Sequence, residues 1–136
     1  MKFCKVSLFF ALLVAVCLPA VAQTAMRVDI PFNFIAAGKS LPAGHYIVAH
    51  VFGSDNVAWK ISDVSDDHAT VGFLSNSVQS SQAHRPSLVF LQAGGAYSLI
   101  QIWTGQKLGR EVFRSKVKQT LVSEGVKDKY VEIGAE

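Results

Sequence analysis

The chain has 136 residues, 50% of them hydrophobic and 17% charged, with a formal net charge of +3 and two cysteines. That is enough polypeptide for one domain with its own core. The composition is too apolar for a disordered segment and too poor in cysteine for a disulfide-stapled scaffold.

The first 22 residues read as a secretory leader. Lys2 and Lys5 precede an apolar run from Val6 to Cys17, and the stretch closes on Pro19-Ala20-Val21-Ala22, a small-x-small cleavage site. As a helix the apolar run would reach about 18 Å, against a hydrocarbon core of about 30 Å, and Pro19 stops it. It therefore reads as a leader rather than a membrane anchor. Acylation at Cys17 is disfavoured because Val16 stands where a small residue is wanted. Cleavage after Ala22 removes 22 residues and leaves 114 of the 136 as one domain, residues 23–136, with no transmembrane span. Both cysteines, Cys4 and Cys17, leave with the leader, and so do two of the 13 cations. The mature net charge is then +1, with 11 cations against 10 acids, so a nucleic-acid partner is not expected.

Alternation with a period of two dominates the mature chain. From Arg27 to Phe34, residues Val28, Ile30, Phe32 and Phe34 share one face, and Pro31 puts the strand at an edge. Gly38-Lys39-Ser40 and Leu41-Pro42-Ala43-Gly44 read as turns. His45 to Phe52 is apolar on both faces, which suits a central strand. Strands are expected at Val57 to Ser62, Ala69 to Leu74, Ser87 to Gln92 and Tyr97 to Trp103, the last two joined by a Gly94-Gly95 hairpin turn. Asp63 to Asp67 reads as a turn. Asn76 to Pro86, rich in Ser and Gln, and Thr104 to Gly109 read as loops. Phe113, Val117 and Leu121 recur at helical spacing, with Ser115 as a cap and an end near Gly125, though the stretch also reads as a strand. Lys129 to Ile133 is a final strand. The sum is a mostly β domain of about seven strands, a small antiparallel sandwich or partly open barrel, with a short C-terminal helix near 112–122.

The segments Ile30-Pro31-Phe32-Asn33-Phe34 and Leu41-Pro42-Ala43-Gly44-His45-Tyr46, followed by Val89-Phe90, Gly94-Gly95, Tyr97 to Trp103 and Gly109-Arg110-Glu111, resemble a family of short exported bacterial proteins. The resemblance covers nearly all of the mature chain. It implies a small exported β protein whose motif residues are turn formers and core aromatics; it brings no activity, cofactor or catalytic residue. Such proteins often carry a charged or aromatic pair before the glycine turn, where this chain has Leu91-Gln92-Ala93.

Few residues suggest chemistry. His45 and His50 lie five apart, so on one strand they point to opposite faces and cannot chelate together. His68 and His84 have no close metal-ligand spacing to them. Asp63, Asp66 and Asp67 lack the glycine and terminal glutamate of a calcium loop and read as a turn. There is no Gly-x-Ser-x-Gly element and no phosphate-cradling loop. No cofactor or metal is expected, and the chain does not read as an enzyme. Two sets remain as interaction candidates. Trp59 and Trp103 could stack on a sugar, and Arg110, Arg114 and Lys118, with Lys107 and Lys116 nearby, could meet an anionic surface. The expected function is an exported, non-catalytic envelope-structural or interaction module in the periplasm or outside the cell. The alternative is a binder of a small apolar or amphipathic ligand inside the barrel. If the leader is cut as expected, the exported protein begins at Gln23 on N-terminal sequencing. Its melting temperature is then the same with and without dithiothreitol, because no thiol remains.

Overall fold

The computed structural model describes residues 25–51, 57–66, 69–112 and 129–136. They form strands throughout: β1 (Ala25–Ile30), β2 (Phe34–Ala36), β3 (Lys39–Leu41), β4 (Gly44–His50), β5 (Ala58–Asp63), β6 (Thr70–Gln79), β7 (Ser87–Ala93), β8 (Ala96–Trp103), β9 (Leu108–Val112) and β10 (Lys129–Gly134). The expected helix near 112–122 falls, beyond Val112, outside the described residues.

The described residues hold ten strands where about seven were expected, and the reasons are local. Pro31 has no N–H to donate, so the first apolar run is cut after Ile30 and resumes as β2. Lys39 and Ser40, expected in a turn, are strand residues instead. The turn is Ala37-Gly38, both at positive φ (49° and 83°), the two-residue geometry that closes a tight hairpin. Gly94 and Gly95, at φ 57° and 79°, make the same kind of turn between β7 and β8, as their pairing in the sequence suggests. The Ser-rich stretch after Leu74 is not a loop until Ser80. Ser75 to Gln79 prolong β6 and pair with β9, while Thr70 to Leu74 pair with β5.

That long strand is the bend of the fold. Its first half belongs to a sheet of β1, β4, β5 and β6, and its second half leads through β9 and β8 to β7 and β10. All pairings are antiparallel except β2 against β8, through Ile35 and Ser98. The path then returns to its start. Val28 bridges Ala135, and Arg27 and Glu136 exchange both backbone hydrogen bonds at 2.8 Å. A sheet joined to itself by so short a seam is a partly open barrel, with β4 in a central position between β1 and β5.

Alternation directs the core. In β1, Met26, Val28 and Ile30 are buried and Ala25, Arg27 and Asp29 exposed. Tyr46, Val48, Trp59, Ile61, Val71 and Phe73 continue the inner face, against Leu88, Phe90, Leu99, Ile102 and Val112. Leu99 and Ile102 are three apart and would face opposite ways on a regular strand. A bulge opposite Val89/Phe90 inserts one extra residue and brings both inward. Phe34 packs edge-on against Tyr46 (centroids 5.2 Å) and Phe90 (5.4 Å), Phe32 packs edge-on against Phe90 (5.1 Å), and Phe32 stacks on Tyr97 (3.9 Å).

The Leu-Pro-Ala-Gly segment serves this core. Leu41 is buried, the Tyr46 hydroxyl donates to the Pro42 carbonyl at 2.6 Å, and the Ala43 N–H donates to Asn33 Oδ1 at 3.0 Å. Gly44 itself has ordinary room for a Cβ, with Asp63 Oδ2 at 3.6 Å, so crowding at that atom does not demand glycine. Gly109 is different. A Cβ there would lie 2.6 Å from Trp103 Cε3. The indole cannot retreat, because its other face is stacked on His84 (3.9 Å, 16°). Gly109→Ala should therefore destabilise the fold by about 1–3 kcal/mol, read as a lower denaturation midpoint at unchanged slope.

Candidate functional site

The candidate site grows from the outward-facing residues of the first sheet. Arg27 and Asp29 alternate with the buried Val28, and His45 alternates with the buried Tyr46. The β1–β4 register sets Asp29 directly across from His45, and the His45 Nδ1–H donates to Asp29 Oδ1. On the other side of β1 the seam places Glu136 beside Arg27 and, one step along, Gly134 beside Asp29. Gly134 has no side chain, and a Cβ built there would meet nothing within 4 Å. The result is a surface groove of about 480 Å³ lined by Arg27, Asp29, His45, Val64, Gly134 and Glu136, with the core residues Val28 and Tyr46 also in its lining.

The groove carries both signs of charge. His45 has its pKa raised above the usual 6.5, first by the hydrogen bond to Asp29, then by the charge of that carboxylate, with Asp63 adding to it. The pair is well hydrated, 71% and 80% exposed at its side chains, so solvent screens the attraction. An imidazole held by a carboxylate can change charge near neutral pH and keeps one ring tautomer. Tyr46, beneath it, is also shifted upward, by burial and then by Asp63. Asp63 is held as a turn former, its Oδ1 accepting from the Ser65 N–H at 2.7 Å, which fits the turn expected at 63–67. Asp67 and His68 lie outside the described residues. Among the described residues no group of three or more His, Cys, Asp and Glu side chains is placed to hold a metal ion.

The residues singled out from the sequence are scattered. Trp59 is a core residue, 3% exposed, set edge-on to His50. Trp103 is 4% exposed and lies between His84 and the bare backbone of Gly109, on the outer side of β8. The two indoles form no joint exposed platform. Arg110 is half-buried on β9 and donates from Nη1 to Ser77 Oγ at 3.0 Å; Arg114 and Lys118 lie outside the described residues, as does Lys116. His45 and His50 do point to opposite faces, and among the described residues the buried His50 Nδ1 has no hydrogen-bond partner. The groove residues were not apparent in the sequence. The signal available, an exposed Asp and an exposed His on separate strands, acquires meaning only once the register is known.

Among the described residues no helix is long and apolar enough to cross a membrane, which leaves strand-built membrane proteins unaddressed. Comparison with known proteins finds no matching family model, no matching curated protein and no matching solved structure.

Because the folded His45 pKa lies above its unfolded value, the pair stabilises the fold below about pH 6.5 and that contribution fades as pH rises through the raised value. NMR titration of the imidazole should give a midpoint above 6.5 in the native protein and close to 6.5 in Asp29→Asn. The same variant should lose the corresponding part of the fall in stability between about pH 6 and about pH 8.

Proposed function

We propose that this chain is an exported, non-catalytic β domain that works as an interaction or envelope-structural module through its outer surface. The observation that supports it most is the packed aromatic core. The buried rings of Phe90, Phe34 and Tyr46 touch in that order within the core, beside Trp59, Ile61 and Leu88, and the half-buried Phe32 and Tyr97 extend the contacts from Phe90 to its margin. Space taken by packed rings is not open to a ligand. The outer surface, in contrast, offers features that partners use. Val51, Val57 and Leu74 stand 41%, 43% and 56% exposed around Ala58, which hydrogen-bonds Val51 and pairs with Leu74. Neighbouring exposed apolar residues give a partner something to cover. Among the described residues β3 ends the sheet path on one side with β2 as its partner. The leader and the resemblance to short exported bacterial proteins support export. A basic contribution from Arg110, Arg114 and Lys118 to an anionic surface remains part of this reading.

The alternative, a small apolar or amphipathic ligand held inside, draws on one observation, the buried Nδ1 of His50 beside Trp59, which has no hydrogen-bond partner among the described residues. Native mass spectrometry of the protein purified from its own envelope separates the two. The bare polypeptide mass is expected. A retained small-molecule mass that disappears in His50→Phe would transfer the function to the interior. A photo-reactive residue at Leu74 should in turn yield one discrete adduct in intact cells, and failure to yield any would count against the module.

A further inference from the structure

The groove over Gly134 has a composition that a random patch of surface would not need. Three charged side chains surround one missing side chain. In the register of the seam, Asp29 lies across from Gly134, Glu136 two residues further along the chain from Gly134, and Arg27 across from Glu136 and diagonal to Gly134. All three side chains point outward, since Val28 and Ala135 between them face the core. Arg27 makes no ion pair among the described residues, although Glu136 is its immediate neighbour across the seam. The open space is flanked by two carboxylates, the ammonium-binding side, while the guanidinium supplies an anion-binding fork. Strand spacing of about 4.8 Å and a two-residue rise of about 6.7 Å put the Gly134 and Arg27 positions about 8 Å apart on the diagonal. The flexible Arg27 stem shortens that to about 7 Å, which two extended residues span. Val64, 57% exposed on the rim, gives an apolar surface for a side chain of the occupant.

We infer that this groove binds a short peptide with free ends, its ammonium over Gly134 between Asp29 and Glu136 and its carboxylate on Arg27. This rests on the reading of the chain as an interaction module and gives that outer surface a ligand class. The two-sign pattern separates it from a plain cation site. An amine alone would leave the guanidinium opposed to it, and a carboxylate alone would face two like charges. His45 acts as a positioning residue, holding the Asp29 carboxylate from the far side. Because the groove is open to water, the affinity expected is modest, with Kd about 1 mM.

The probe is alanylalanine, followed by amide chemical shifts of the purified protein, with N-acetyl-alanylalanine and alanylalanine amide as single-charge controls. Saturable shifts are expected at Arg27, Asp29 and Gly134, with each control at least about tenfold weaker. Gly134→Leu fills a site that has open space and an unstrained backbone. It should abolish binding while leaving the melting temperature unchanged. Arg27→Gln should weaken alanylalanine at least about tenfold while the amide binds no more weakly than before, since the variant removes a charge that opposes it. The inference is overturned if no saturable shift appears up to about 10 mM. It is equally overturned if either control matches the parent dipeptide, or if folded Gly134→Leu binds as the native protein does. Should the dipeptide fail while the Leu74 cross-linker still captures its adduct, the module stands and only its peptide site is lost.

Discussion

The structure depends on a chain of aromatic contacts that ties the first third of the domain to its second half. Phe34 lies between Tyr46 and Phe90, and Phe32 between Phe90 and Tyr97. Each such pair contributes about 0.5–1.5 kcal/mol beyond the area it buries. The partners are far apart in sequence, so the contacts specify topology as well as stability. Tyr46 could not sit at the centre, with no exposed surface, unless its hydroxyl were satisfied; the Pro42 carbonyl does this. The Asn33 side chain then secures the same turn from the other side through Ala43. The Pro-Phe-x-Phe and Leu-Pro-Ala-Gly-x-Tyr segments are thus two halves of one packing unit.

Closure is a separate problem from packing, and it is solved with very little. A single bridge at Val28 and Ala135, with the reciprocal Arg27–Glu136 hydrogen bonds, joins the last strand to the first. Pro31 ends β1 soon after, so the seam cannot lengthen in that direction. On the surface its register sets the bare Gly134 beside Asp29, and the groove lies over it. The same economy appears on the other sheet, where the missing Cβ of Gly109 lets Trp103 lie flat and His84 cover it. One glycine is filled by an indole; the other is left open.

Charge on this protein is mostly a surface matter. The core contains Ser75 and Ser87 as its buried polar residues, and both hydroxyls donate, to Val57 O at 3.2 Å and to Glu132 Oε1 at 2.7 Å. The ionisable groups gather outside, where water lowers their mutual energies and leaves them available to ligands. That division is what permits variants such as Gly134→Leu or Arg27→Gln to test binding without disturbing the fold.

Much of the architecture was legible in the residues themselves. Period-two alternation located the strands of the first sheet, because one buried face imposes it. Gly94-Gly95 marked its hairpin, because two successive positive φ values favour glycine. Where local rules failed, a non-local partner had decided. Ser75 to Gln79 became strand because β9 was there to pair with them, and Ile100 was displaced into a bulge because Leu99 and Ile102 both had core to reach. Trp59 and Trp103 invited a ligand in the sequence, yet both are occupied with packing. The groove was invisible for the same reason, since Asp29, His45 and Gly134 are neighbours only by register. By itself, the sequence determined the β class, the main turns and the inward face of most strands, which depend on each residue's own conformational and solvation preferences. The tertiary structure alone decided how the sheet closes and which charges meet over Gly134, because strand pairing is a property of distant segments and not of any one of them.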